Sequence, residues 1–295
     1  MENILMKEKS LDPYGLRELQ NCILGIMVYI DEICQEHGIE YCLMGGSAIG
    51  AKRHSGFIPW DDDLDIFMTP DNYEKFRQVF NALGDKGRFY LQEYGLVDGM
   101  VTLSKLRLNG TTYIEEIVKD WDMHHGVYVD IFILHSCPNN RLLQLYQCLW
   151  AKYTILLGLS HRGYAGKGGL AGLLLKIFKI FPKKFLLRQA LKEQYRYRHR
   201  RTNYYCNFLG KAVFTQGIYE RKWFEEYLYV PFEQVELKVP VGLHEFLTKR
   251  FGNYMRVPSP EQIKAGQHVL KWDVKRDFRE LMPHIHSFSD EKFLL

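Results

Sequence analysis

Four acids, Asp61, Asp62, Asp63 and Asp65, fall within five positions of the stretch MGGSAIGAKRHSGFIPWDDDLDIFM, residues 44–68. Like charges at that density either line a solvated turn or face a cation. Side chains of a strand alternate between its two faces, so Asp63 and Asp65 point the same way. Asp61 joins them if the extended backbone starts two residues earlier, and Asp62 then turns outward. Carboxylates sharing a face repel one another unless a proton or a cation lies between them. Hard oxygen ligands at this spacing suit Mg²⁺ or Mn²⁺, which is commonly held by a few carboxylates together with substrate phosphates. Two further features raise the metal reading above an isolated DxD. Asp130 interrupts the apolar run VYVDIFIL, where an unpartnered carboxylate is costly, and a strand lying beside Leu64–Met68 would bring it to the same cation. Upstream, Gly45-Gly46-Ser47 follows a short apolar run and precedes SAIGAKR, a turn into a helix start that offers backbone N–H groups to phosphate.

The elements that must position these residues are legible from periodicity. Leu16, Leu19, Ile23, Ile26, Met27, Ile30 and Ile33 recur at spacings of three and four, predicting a helix over 14–37 that stops at Gly38. IEYCLM (39–44) reads as a buried strand, Ser47 sits near the cap of the next helix, and Asp63–Met68 reads as the acid-bearing strand. Asp71–Leu83 is helical, with Tyr73, Phe76, Val79, Phe80 and Leu83 on one side. RFYLQEY (88–94), VTLSKLRL (101–108) and GVYVDIFIL (126–134) are strand-like. Interleaved strands and helices give an α/β (α+β) class over the first 135 residues.

The chain of 295 residues is 46% hydrophobic and 14% aromatic, enough for a substantial core, and its net charge is only +4. That charge does not favour nucleic acid, whose binders concentrate a stronger basic excess. Six scattered cysteines without a CxxC pair read as reduced, buried thiols. MENILMKEKS lacks the apolar core of a secretory signal, and the expected compartment is the cytoplasm, with peripheral contact at the inner face of the plasma membrane. Between 141 and 201 there are fourteen Lys or Arg against one acid, Glu193. Two apolar segments there, LLQLYQCLWAKYTILLGL and LAGLLLKIFKIFPKKFLL, are too interrupted by polar residues to span a bilayer, and Gly163–Gly172 separates them. Helices packed on the domain or lying on a membrane surface fit this composition. The expected organisation is a catalytic core over 1–140, a basic helical region over 141–230 and a segment over 231–295 that packs back on the core.

The run GGSAIGAKRHSGFIPWDDDLDIFM resembles the signature of the LicD family, proteins similar to phosphocholine transferases of bacterial surface glycans, with a related signature in fukutin-type transferases. The resemblance continues through LSKLRLNGTTYIEE (103–116), HHGVYVDIFIL (124–134) and FLTKRFGNYMRVPSPEQI (246–263), and is weak from about 140 to 230. It implies a nucleotidyltransferase-like mixed sheet flanked by helices, a divalent metal and a CDP-activated donor. The Gly-Gly/Ser turn of that pattern falls on Gly46-Ser47, its paired acids on Asp63 and Asp65, and its later acid on Asp130. The LicD signature adds Asp61 as a ligand. Ala48-Ile49 and Ala51-Lys52 depart from the expected residues, but no motif acid is missing.

The implied reaction moves phosphocholine from CDP-choline to a sugar hydroxyl of a surface glycan (teichoic acid, lipopolysaccharide or capsule), releasing CMP; the acceptor is expected to be lipid-linked. Asp61, Asp63 and Asp65 would hold metal against the donor diphosphate, and Asp130 would complete that site or take the hydroxyl proton. Gly45, Gly46, Ser47, Arg53 and His54 are candidate donor contacts. Lys105 and Arg107 share a strand face, either gripping phosphate or facing solvent. His124 and His125 have no zinc-like partners and read as structural. Trp60 stacks on a ligand or simply packs, and Tyr254 and Arg256 have no role assignable from the residues. Rival classes are transfer of another CDP-linked phospho-group, a DxD glycosyltransferase, and a non-catalytic binding module. An aspartyl phosphatase is excluded by Phe67 where its motif needs Thr or Val.

Overall fold

The computed structural model describes residues 12–94, 102–116, 118–161, 173, 183–210, 212–266 and 269–285. The Gly163–Gly172 break, most of the second apolar segment and the MENILMKEKS terminus lie outside them. In chain order the elements are α1 (Arg17–Glu36), β1 (Cys42–Leu43), α2 (Gly45–His54), β2 (Asp65–Met68), α3 (Pro70–Leu83), β3 (Phe89–Gln92), β4 (Ser104–Leu108), β5 (Thr112–Glu115), β6 (Tyr128–Ile133) and β7 (His135–Cys137). They continue with α4 (Arg141–His161), α5 (Lys183–Tyr195), β8 (Tyr204–Cys206), β9 (Ile218–Glu220), β10 (Tyr227–Phe232), β11 (Val235–Pro240), α6 (Leu243–Phe251), α7 (Pro260–Gly266), β12 (Val269–Asp273) and α8 (Phe278–Leu281).

The centre is a mixed five-stranded sheet in the order β1-β2-β6-β4-β3, with only the β2–β6 pair parallel. Helix α1 lays its apolar stripe on β4 and β6, and every residue of the predicted stripe from Leu16 to Ile33 is buried. Its start is capped from a distance, Asp12 accepting from the backbone N–H of Leu16 and Arg17. Its end is Gly38, at φ 59°, where the chain turns so that Ile39 N–H closes onto Cys34 O. In α3, Thr69 caps the first turn and Pro70 occupies it. Tyr73, Phe76 and Phe80 go into the core, whereas Leu83, expected with them, is exposed at the last position.

The other face of β2 and β6 is covered by chain from the second half. Phe67 lies among Tyr219, Phe224 and Phe246. The β10–β11 hairpin sits beside β1, and β12 pairs with β5. With both faces covered, β2 and β6 read as near-continuous apolar runs, and the few polar residues on them stand out.

Candidate active site

The acid stretch is not one extended strand. Regular pairing begins only at Asp65, and 61–64 is irregular chain, although Asp130 N–H still bonds Leu64 O. Partners distant in sequence fix this segment. Gln20 of α1 donates to Ile58 O and Asp61 O, Tyr113 Oη donates to Asp62 O, and Val269 N–H donates to the Asp62 carboxylate at 2.9 Å. The expectation that Asp62 points outward is therefore corrected: it is buried, because the β5–β12 ladder closes over the side that alternation leaves open. Asp61, Asp62 and Asp63 each bring one carboxylate oxygen within 4.8 Å of the others. Asp65 and Asp130 are register partners across the parallel pair β2–β6, and so project from the same face.

The start of α2 presses on this group. The helix begins at Gly45, one turn earlier than a Ser47 cap requires, and Ser47 Oγ instead accepts from Asp65 N–H at 2.9 Å. A Cβ on Gly45 would stand 2.8 Å from Asp65 Oδ2, and one on Gly46 would stand 2.3 Å from Asp61 Oδ2. Gly45 also has φ 59°, a conformation that favours glycine. The glycine pair thus lets a helix N-terminus, with its partial positive charge, sit directly against two carboxylates.

Charge at the site is unbalanced. Burial, then Asp62, raises Asp61 to about 7 against the pull of Arg53. Asp63 is driven well above the usual carboxylate range by burial and then by Asp65, Asp61, Asp130 and Asp62. Burial also raises Asp130, opposed mainly by Lys105. Asp61, Asp62 and Asp63 are close enough to offer oxygen donors to one hard divalent cation, and Asp65 and Asp130 add negative charge beside Asp63 that the nearby cationic side chains only partly offset.

Lys105 and Arg107 take a different part from the expected phosphate grip. Both side chains are buried. Lys105 Nζ lies 2.8 Å from Asp130 Oδ1 and 3.4 Å from Glu115 Oε2, over the ring of Tyr128 at 3.2 Å. Arg107 donates to Gln92 Oε1 and Gly126 O. Alternation placed the two cations on one face; that face is covered, and it runs through the register row Asp65–Asp130–Lys105–Gln92. Glu115 is the residue that sequence reasoning missed. Burial would raise its carboxyl, yet Lys105 and Arg107 outweigh this and hold it below its ordinary value. Glu115 is followed directly by Glu116, and only the pairing with Lys105 in the folded chain singles it out.

Arg53 and His54 end α2. Arg53 donates to His54 Nε2, to Tyr254 O at 3.0 Å and to Arg256 O, and its guanidinium lies 5.8 Å from the Trp60 ring. This ties the FGNYM segment to the site helix, and Tyr254 Oη in turn meets His244 Nδ1. Trp60 is packed against Tyr14 and Arg53. His124 and His125 are buried; the first bridges Asn109 and Gly126 N–H, the second meets Trp121 O. Burial lowers them to about 2 and about 4, which keeps both neutral and structural.

Residues 38–152 match the family model described as LicD/FKTN/FKRP, nucleotidyltransferase domain. The lipopolysaccharide cholinephosphotransferase LicD of Haemophilus influenzae is 28% identical over 269 residues, covering 86% of this chain and 96% of that protein. Shorter similarities are to an uncharacterised protein of Rickettsia typhi, 39% over 85 residues and 28% of each chain, and to human ribitol 5-phosphate transferase FKRP, 32% over 78 residues, 26% of this chain and 15% of that one. The matched segment contains the glycine-started helix, the acid cluster and Asp130, so residues 38–152 carry a LicD-type nucleotidyltransferase domain and most of the chain is similar to a LicD cholinephosphotransferase.

Proposed function

We propose that this chain is a divalent-metal-dependent phosphotransferase that moves phosphocholine from CDP-choline to a sugar hydroxyl of a bacterial surface glycan, releasing CMP. The observation that carries the reading is the apposition of Gly45 and Gly46 to Asp65 and Asp61, with Asp130 in register beside Asp65. A helix N-terminus against clustered carboxylates makes a place where anionic phosphate and acidic ligands coexist, which requires a cation between them. Mg²⁺ or Mn²⁺ held by Asp61, Asp63, Asp65 and Asp130 would neutralise charge on the donor diphosphate and on departing CMP. The backbone N–H groups of the Gly45-Gly46-Ser47 turn bind donor phosphate, and Ser47 fixes the backbone of Asp65. Asp130, raised by burial and oriented by Lys105, either completes that metal site or, left outside it, accepts the proton of the attacking hydroxyl. Lys105 and Glu115 act through Asp130 as positioning residues.

The lipopolysaccharide cholinephosphotransferase relative supports choline as head group and a surface glycan as acceptor. A second reading, transfer of a phospho-polyol, is favoured by the local similarity to ribitol 5-phosphate transferase. Incubating the protein with Mg²⁺, candidate glycans and a panel of CDP-linked donors distinguishes the two by which donor yields CMP. Release of UDP or GDP from sugar nucleotides would instead support a glycosyltransferase.

A further inference from the structure

Helix α4 is built inside out. Its inward face carries Gln144, Gln147, Cys148, Ala151 and Thr154, all buried. Backbone groups satisfy the glutamines: Gln144 donates to Pro138 O, Gln147 to Ser136 O and Gln194 O, and Gln194 donates back to Gln147 O. The outward face carries Leu142, Leu145, Tyr146 and Leu149, which are 75%, 43%, 40% and 60% exposed. Their spacing makes one continuous stripe, the reverse of the usual arrangement for a helix bathed in water. Helix α5 packs along α4 and exposes Arg188 and Lys192 one turn apart, with Arg196 just past its end and Phe185 also exposed. The two rows are contiguous, the Arg196 guanidinium lying 5.8 Å from the ring of Tyr146. The single acid of the region, Glu193, is buried and paired with Arg196, so it adds no repulsion toward a negative surface.

We propose that the α4 leucine stripe and the α5 cation row together form a docking surface for an anionic lipid bilayer. Charge complementarity selects this occupant: an apolar stripe beside cations matches acyl chains beneath phosphate headgroups. Two copies meeting on this face would instead bring like-charged rows into one interface. Among the described residues no helix is long and apolar enough to cross a membrane, and the proposed contact is a peripheral one. Resting on the proposed function, this contact would bring the active site to a lipid-linked acceptor.

The test is co-sedimentation of the full chain with vesicles of phosphatidylcholine alone and of phosphatidylcholine mixed with phosphatidylglycerol. Binding is expected to the anionic vesicles and to weaken with added salt. The variant L142S/L145S/L149S should lose about tenfold or more in partitioning, and R188E/K192E should lose the preference for anionic lipid. All five positions are exposed, so thermal unfolding should remain as in the parent. Failure of the parent to bind anionic vesicles, or unchanged binding by the leucine variant, would overturn the proposal. So would a dimer in solution that the leucine substitutions dissociate.

Discussion

Replacing Gly46 by alanine adds one methyl group 2.3 Å from Asp61 Oδ2 and 3.3 Å from its Cγ. Real Cβ contacts stay beyond 3.0 Å, so the carboxylate must retreat by roughly 0.7 Å. Its backbone cannot follow freely, because Gln20 holds Asp61 O and Asp61 N–H bonds Ile58 O. Metal–ligand distances tolerate only about 0.2 Å, and disturbing a group that orients a ligand typically costs about 10–100-fold in affinity, or ~1.4–2.8 kcal/mol. Helix propensity acts the other way, favouring alanine by about 1 kcal/mol, so the metal-free fold should be nearly unchanged. The assay is calorimetric Mn²⁺ titration of Gly46→Ala beside thermal unfolding with and without metal. Gly25→Ala is the control, since its Cβ meets nothing within 4 Å and the site helix is not involved. It should stabilise by about 0.5–1 kcal/mol and leave Mn²⁺ affinity unaltered. A folded Gly46→Ala protein with parental Mn²⁺ affinity would refute the placement of Asp61 at the metal.

Three further outcomes follow from the same geometry. Asp63→Asn should lower turnover by on the order of 10²–10³ while raising the melting temperature of the metal-free protein, because it removes one of several mutually repelling carboxylates. Lys105→Met strands Asp130 and Glu115 as buried charges and should cost about 3–5 kcal/mol in denaturant unfolding; a loss confined to donor KM would restore the phosphate-gripping role. Folded Asp61 keeps its proton up to about 7 and unfolded Asp61 only to about 3.8. Its contribution to metal-free stability is therefore lost as pH rises between those values, and a metal must displace that proton. The Mg²⁺-induced rise in melting temperature should accordingly grow from about pH 6 to about pH 8, and a pH-independent rise would contradict the assignment.

Much of the fold was readable because local rules and tertiary packing agree. The α1 stripe, the Thr69-Pro70 start of α3 and the aliphatic run around Asp130 each specify their element by periodicity or capping. What alternation gives is which residues share a face; it does not say what covers that face. Lys105 and Arg107 do share one, but Tyr128, Glu115 and Gln92 enclose it. Asp62 was misjudged for the same reason, since its partner Val269 lies 207 residues away. The anchoring of the loop before the acids depends on Glu233, which accepts from Phe57 N–H and pairs with Arg17. No local pattern announces such a contact. The reversed polarity of α4 is equally invisible to composition, which counts the leucines without showing which side the glutamines take.

The central claim is that the carboxylates at the start of α2 serve a metal-dependent transfer from a CDP-linked donor. Its most direct test is CMP release from CDP-choline, measured with a glycan acceptor while Mg²⁺ is titrated, for the parent chain and for D63N/D65N. CMP release that saturates with Mg²⁺ in the parent and is absent from the double variant is the predicted result. Release that persists in chelator, or that is equal in both proteins, would contradict the account.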